Sequence, residues 1–232
     1  MEEIITIVLI LLTMLVTFCL FKMLDKRGLY FSLVIMNLLG LVLSFKISQI
    51  LTINMNIGII PMIATLSIIY IFIIKYGYKE TKNLLLVSLY SNIAMSVLLI
   101  IMNYFIPAIT ETVSINMQGT FEYNYKILIV YPLIMLLGQY TVTKLYKLIS
   151  SLQRNTSICI TLTYIITGLI YTIVFYLLAY INILEISYSI FLGISTYIIG
   201  IPITLINLLL INYSTKKKVL VWEIFFWSLQ KC

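Results

Sequence analysis

Residues 56–74 read NIGIIPMIATLSIIYIFII, a predominantly apolar run without a charged side chain. The next residues, 75–82, read KYGYKETK and include three lysines. A helix needs about 20 apolar residues to cross the hydrocarbon core of a bilayer, and its backbone groups must be hydrogen-bonded within the segment. The sequence therefore predicts a membrane-spanning helix over 56–74 that ends in a basic turn.

Similar apolar runs recur along the whole chain. They predict seven spans, at approximately residues 4–24, 29–45, 56–74, 84–105, 127–148, 157–184 and 188–213. Of the 232 residues, 62% are hydrophobic and 10% are charged, whereas soluble domains are roughly 45–50% apolar. This composition excludes a water-soluble globule, a disordered chain and a nucleic-acid-binding domain. We expect an all-α, polytopic membrane protein with a helical domain over residues 1–213.

The basic residues of the loops predict the orientation of these spans. Lysine and arginine accumulate in the cytoplasmic loops of membrane proteins. Here they follow spans one, three, five and seven, at Lys22, Lys26, Arg27, Lys75, Lys79, Lys82, Lys144, Lys147, Arg154, Lys216, Lys217 and Lys218. The other connections carry only Lys46 and Lys126. An N-terminus outside the cell and a C-terminus in the cytoplasm agree with every loop.

Three segments outside the spans have their own patterns. Residues 46–55 mix polar and apolar side chains, which fits either a segment dipping into the external interface or an ordinary loop. Residues 107–126 are rich in threonine, asparagine and glutamate and predict a solvated external linker. The tail, residues 214–232, is basic and then apolar, with Trp222 and Trp227. It predicts a cytoplasmic interfacial helix or, alternatively, a partner-binding tail.

Catalytic and cofactor-binding patterns are missing from the sequence. The chain has no histidine, and its three cysteines are isolated, which removes histidine bases, histidine metal ligands and cysteine–histidine pairs. It has no phosphate-binding glycine loop, and its eight acids fall at span ends or in loops. We therefore expect no enzyme activity, no cofactor and no metal site.

Polar side chains within the spans are the candidate functional residues. An amide in hydrocarbon costs free energy unless it faces a neighbouring helix or a cavity. Four amides lie near mid-span: Asn37, Asn92, Gln139 and Asn207. Each is explained either as a link between helices or as part of a polar binding site.

An aromatic residue deep in span six likewise has both a structural and a ligand-binding explanation. Tyr171 follows Thr163 and Thr167 on about the same helical face, with Tyr164 on a neighbouring face. An aromatic ring beside hydroxyls and amides suits a flat, neutral heterocycle, which stacks on the ring and exchanges hydrogen bonds at its edges. Core packing explains this pattern equally well.

Several short motifs occur in an order that points to a family. The segment after span three contains the turn Tyr76-Gly77-x-Lys79, and Ile60-Pro61 lies at the start of that span. Gly138-Gln139 follows in span five and Thr172-x-x-Phe175 in span six. This ordered set, over about residues 29–214, resembles the queuosine-precursor transporters, also described as vitamin-uptake transporters.

The resemblance implies import of a 7-deazaguanine-type precursor, such as 7-cyano-7-deazaguanine, across the cytoplasmic (plasma) membrane by a multi-pass protein. Gln139 matches the glutamine of the family, and its amide offers a donor and an acceptor to a purine-like edge. The further substrate-binding candidates are Asn92, Tyr171, Asn207 and Tyr70. The residues expected to form structural turns are Tyr76, Gly77, Lys79 and Gly138.

The sequence departs from the family at charged positions. Family members carry acids at the positions of Tyr70, Ile74, Val142, Tyr171 and Asn207, and a basic residue at the position of Gly200. The resemblance therefore implies a divergent member with an altered substrate site. The predicted partners are a deazapurine-like small molecule and the lipid bilayer, without nucleic acid.

Other functions remain open at this point. A substrate-capturing subunit could borrow an external ATPase module, because the chain shows no ATP-binding or ion-coupling residues. A non-transporting membrane protein that binds partners through its spans or tail is the alternative from another class. The sequence also leaves open whether the protein forms a homodimer.

Overall fold

The computed structural model describes residues 2–50, 53–102, 112–152, 155–180 and 184–215. Within these ranges the elements are α1 (Glu2–Leu43), β1 (Ile47–Ile50), β2 (Ile53–Asn56), α2 (Ile59–Met102), α3 (Thr112–Leu152), α4 (Thr156–Ala179) and α5 (Ile186–Thr215). All five helices are long and apolar enough to cross a membrane. The predicted helical, membrane-embedded class is confirmed, but the described residues form five helices and not seven.

The outer surface of the helices is apolar. Large hydrophobic side chains are exposed along α1, α2 and α4, for example Leu15 at 59%, Leu98 at 56% and Ile170 at 57%. Soluble monomers rarely expose continuous apolar patches of this kind. This surface fits contact with lipid chains, as the composition predicts.

The helices close into a single bundle. Each of α1 to α4 packs against the next helix in the chain, and α5 returns to pack against α2. The largest buried cluster joins side chains of all five helices, including Leu33 of α1, Ile68 of α2, Tyr146 of α3, Ile160 of α4 and Ile211 of α5. Large buried aliphatic and aromatic side chains therefore fix the positions of all five helices relative to one another.

Two of the helices are interrupted by residues with non-helical backbone angles. Asp25 within α1 has φ 48° and ψ −121°, and Gly77 within α2 has φ 81° and ψ 170°. Positive φ is readily adopted by glycine and costs energy for most other residues. Most of the predicted spans one and two lies within α1, and most of spans three and four lies within α2.

The two interruptions lie side by side at one end of the bundle. The Tyr76 hydroxyl donates a hydrogen bond to Oδ1 of Asp25 at 2.7 Å, and Nζ of Lys26 lies 2.9 Å from Oε2 of Glu80. The Lys75 ammonium lies 4.4 Å from the centroid of the Phe21 ring. We call this the basic end.

The opposite end of the bundle carries a β-hairpin. Strands β1 and β2 pair antiparallel, with Ile47 opposite Asn56 and Ile50 opposite Ile53. The amide of Asn56 donates to the Ser44 carbonyl at 2.6 Å, and its Oδ1 accepts from the backbone N–H of Gly58 at 2.8 Å. Residues 47–50 and 53–55 of the segment 46–55 therefore form paired strands and not an ordinary loop, because strand pairing satisfies their backbone groups. That this segment dips into the external interface stays a prediction.

The predicted external linker over residues 107–126 is wrong for most of its length. Helix α3 begins at Thr112 and continues through this segment to Leu152, including Pro132. Most residues between Thr112 and Lys126 are compatible with a helix, and their polarity does not prevent one. The predicted cytoplasmic tail lies outside the described residues from 216 onward.

Candidate functional site

A cavity of about 60 Å³ lies between α2, α3 and α4. Its polar lining residues are Gln139 of α3 together with Tyr164, Thr167, Tyr171 and Thr172 of α4. The rest of the lining consists of aliphatic or methionine side chains and two glycines, without an acid, lysine or arginine among the described residues. Because roughly 10–15 Å³ is enough for one water, the cavity has room for a few waters or a small polar group.

Two glycines, Gly138 and Gly168, lie in the wall of the cavity. A Cβ atom at Gly138 would lie 3.7 Å from Cγ of Tyr171, so the Tyr171 ring rests directly on the backbone of α3. A Cβ atom at Gly168 would lie 3.2 Å from Cε2 of Tyr197. At each of these two glycines the helix backbone is therefore in direct contact with an aromatic ring.

Gln139 belongs to a closed ring of three hydrogen bonds. The Asn37 amide donates to Oγ of Ser88 at 2.7 Å, and the Ser88 hydroxyl donates to Oε1 of Gln139 at 2.6 Å. Nε2 of Gln139 completes the ring by donating to Oδ1 of Asn37 at 3.4 Å. All three side chains are buried. This ring joins α1, α2 and α3 at one level of the bundle.

The ring uses only half of the hydrogen-bonding capacity of Gln139. A glutamine amide has two N–H donors and an oxygen with two lone pairs. One N–H and one lone pair are used within the ring, so one of each remains on a side chain that lines the cavity. Gln139 therefore links three helices and keeps one donor and one acceptor that the ring does not use.

Some hydroxyl groups of α4 already have hydrogen-bond partners within the protein. The Tyr171 hydroxyl lies 2.6 Å from Oγ1 of Thr141, and the Thr167 hydroxyl donates to the Thr163 carbonyl at 2.7 Å. The buried Tyr164 hydroxyl has no hydrogen-bond partner among the described residues. Its ring stacks on Tyr197 with centroids 5.8 Å apart. Of the three residues predicted to share this face of α4, Thr167 and Tyr171 line the cavity and Thr163 does not.

The other predicted substrate residues lie elsewhere in the bundle. Asn92, Asn207 and Tyr70 are buried but do not line the cavity, unlike Gln139 and Tyr171. The side-chain oxygen of each of the three has no hydrogen-bond partner in the described part of the chain. The structure therefore brings together two of the five predicted substrate residues.

The predicted turn residues occupy two places. Tyr76, Gly77 and Lys79 lie at the interruption of α2, at the basic end and away from the cavity. Lys79 is exposed there. Gly138 lies in the cavity wall and not in a turn, because α3 continues as a helix through it.

A second, smaller cavity was not predicted from the sequence. It measures about 10 Å³ and is lined by Asn56, Tyr176 and Thr196, and by three residues that also line the larger cavity: Ile59, Met62 and Thr172. Its polar residues come from a strand and two helices, so no spacing within one segment could reveal it.

Ser88 was also missed, although it lies four residues before Asn92 on the same helix.

Comparisons with known proteins give no family assignment. No family model matches the chain, and neither the curated proteins nor the solved structures provide a match. In the described part of the chain, no group of three or more cysteine or acidic side chains could hold a metal ion. The fold and the site define a helical membrane-embedded protein with an uncharged cavity.

Proposed function

We propose that the protein is a transporter that imports a small purine-like compound, 7-cyano-7-deazaguanine or a related queuosine precursor, across the cytoplasmic membrane. The observation that carries this proposal is the uncharged cavity between α2, α3 and α4, with the Gln139 amide and the Tyr171 ring in its wall. The motifs around Gly77, Gln139 and Thr172 add the resemblance to queuosine-precursor transporters.

The depth of the cavity supports a transport site. Near the basic end, the Tyr78 hydroxyl lies 3.2 Å from Oγ of Ser150. Gln139 lies on the same helix as Ser150, roughly 16 Å away at 1.5 Å per residue, about half of the hydrocarbon thickness. Transporters commonly bind substrate near the middle of the bilayer. This distance supports a binding site near the middle of the bilayer.

The chemistry of the cavity favours a neutral, flat ligand. A charged group would be costly here, because the lining offers no counter-charge. A fused heterocycle can stack against Tyr171 and exchange hydrogen bonds with the remaining donor and acceptor of Gln139. The cavity is small relative to a fused heterocycle, so transport requires the helices to separate.

We also propose that the chain crosses the membrane seven times. Contacts between the second part of α1 and the first part of α2 support a reversal of direction. The Tyr30 and Phe72 rings lie 5.4 Å apart, and a Cβ atom at Gly40 would lie 3.7 Å from Cγ of Met62. Residue numbers rise on one helix as they fall on the other, so these segments run antiparallel.

Contacts of the second part of α2 support a further reversal at Gly77. Lys26 pairs with Glu80 and Asn37 with Ser88, so residues 80–88 run parallel to residues 26–37. Since residues 26–37 are antiparallel to the first part of α2, the two parts of α2 run in opposite directions. A reversal within α1 is supported in a similar way. Gly28 packs against the backbone of Leu20, eight residues earlier, which residues of one straight helix cannot do.

The charge distribution supports an external N-terminus and a cytoplasmic C-terminus. Among the described residues, the basic end holds the lysines and arginine around both interruptions and the last turns of α3: Lys22, Lys26, Arg27, Lys75, Lys79, Lys82, Lys144 and Lys147. Only Lys46 and Lys126 fall outside it. Basic residues accumulate on the cytoplasmic side, which would place the hairpin outside.

Cysteine labelling tests this topology. In a variant whose three native cysteines are replaced by serine, we expect Ser48→Cys to react with a membrane-impermeant maleimide in intact cells. Lys79→Cys should react only after the membrane is permeabilised, which makes the two variants mutual controls. Labelling of both residues from the same side would contradict the seven crossings.

Uptake measurements test the transport function. Cells that cannot synthesise the precursor should accumulate labelled 7-cyano-7-deazaguanine only when they express this protein. Loss of that uptake when an ATPase module is removed would instead favour the substrate-capturing subunit of an ATP-driven importer. Equal accumulation with and without the protein would contradict a role in transport.

A further inference from the structure

The small cavity adjoins the larger one. Ile59, Met62 and Thr172 line both cavities, so the two volumes lie on either side of the same three side chains and only these need to move for them to join. The small cavity, at about 10 Å³, matches the room that one water needs. A ring held in the larger cavity could place one small substituent there.

The polar groups of the small cavity leave one hydrogen-bond donor unused. The backbone N–H of Asn56 donates to Oγ1 of Thr196 at 3.3 Å, and the Tyr176 hydroxyl lies 3.0 Å from the same oxygen. The Asn56 backbone N–H and the hydroxyls of Tyr176 and Thr196 are three donors, but only two hydrogen bonds join these groups, and the Asn56 side-chain amide donates elsewhere, to the Ser44 carbonyl. If the Tyr176 hydroxyl donates to Thr196, the Thr196 hydrogen is left for another acceptor. If the Thr196 hydroxyl donates to Tyr176, the Tyr176 hydrogen is left instead.

The surroundings of this donor select an uncharged acceptor. Tyr176 and Thr196 are each 1% exposed, so the donor is withdrawn from solvent. The side chains lining the small cavity are neutral, without a carboxylate to balance an ammonium group. A buried donor without an acceptor costs free energy, and a buried cation without a partner costs more.

We infer that Tyr176 and Thr196 are specificity-determining residues, which hold a small, uncharged hydrogen-bond acceptor carried by the ring in the larger cavity. A nitrile belongs to this class of substituent. An aminomethyl group, which is an ammonium ion at neutral pH, does not. This inference rests on the proposed function and adds to it the part of the ligand that is recognised.

Competition uptake in cells tests the inference. Cells expressing the full chain receive labelled 7-cyano-7-deazaguanine with either unsubstituted 7-deazaguanine or the 7-aminomethyl compound as competitor. The nitrile compound should be preferred by roughly tenfold or more, the effect of one unpaired buried donor. Thr196→Val and Tyr176→Phe should each reduce this preference severalfold, whereas Thr196→Ser should keep it.

Tyr180→Phe is the matched control. The Tyr180 hydroxyl donates to the Ser44 carbonyl at 3.3 Å and lines neither cavity, so its removal should leave the preference unchanged. The amount of each variant in the membrane is measured in parallel. The inference would be overturned if the wild type, Thr196→Val and Tyr176→Phe showed equal preferences. Uptake by the wild type would in that case still uphold the proposed function. Absence of uptake of the labelled compound by the wild type would overturn both.

Discussion

Replacement of Gln139 by alanine is expected to abolish uptake of the deazapurine while the protein remains in the membrane. The substitution removes the amide from the wall of the cavity, where one donor and one acceptor remain for a ligand. Loss of a hydrogen-bonded partner in a buried polar site costs about 1–3 kcal/mol, or roughly 10- to 100-fold in affinity. Initial uptake rates at low substrate concentration would measure this loss.

Ser88→Ala is the matched control for Gln139. It breaks the same ring of hydrogen bonds, but Ser88 does not line the cavity. Hydrogen bonds between membrane helices contribute about 0.6 kcal/mol on average, so we expect a small loss of stability and retention of most uptake. If both variants lose uptake to the same extent, Gln139 acts through the ring between the helices and not through the ligand.

Replacement of Gly28 by alanine is expected to destabilise the fold strongly. A Cβ atom at this position would overlap the backbone carbonyl of Leu20, and a backbone atom cannot move aside as a flexible side chain can. Overpacking of this kind costs about 1–3 kcal/mol or more. The midpoint of thermal unfolding of the purified protein in detergent should fall by several degrees.

Gly138→Ala provides the comparison for Gly28→Ala. A Cβ atom at Gly138 would make an ordinary contact with Tyr171 at 3.7 Å, and α3 is helical at this position. Its unfolding midpoint should therefore stay close to that of the wild type. An unchanged midpoint for Gly28→Ala would show that the two parts of α1 do not pack closely at the interruption near Asp25.

The sequence predicted the class of fold because its strongest signal is hydrophobicity. Apolar runs that recur along most of the chain specify membrane-embedded helices whatever their neighbours are. The basic turn around Gly77 was also visible, and Gly77 is where α2 loses helical geometry. The hairpin was not visible, because strands of four residues are too short for a periodic pattern.

The candidate site was only partly predictable, because its residues meet through packing. Gln139 was identified as a buried amide, but its partners Asn37 and Ser88 lie on two other helices, 102 and 51 residues away in sequence. Asn92 and Asn207 have the same chemistry and similar mid-helix positions, yet they do not reach the cavity. Residue type and depth alone do not decide which amides converge.

The queuosine content of tRNA tests the central proposal most directly. Cells that cannot make queuosine precursors would be supplied with external 7-cyano-7-deazaguanine, with and without the gene for this protein. We predict that queuosine appears in tRNA only in cells that express the protein. Absence of queuosine, with the protein demonstrably in the membrane, would contradict import of this precursor.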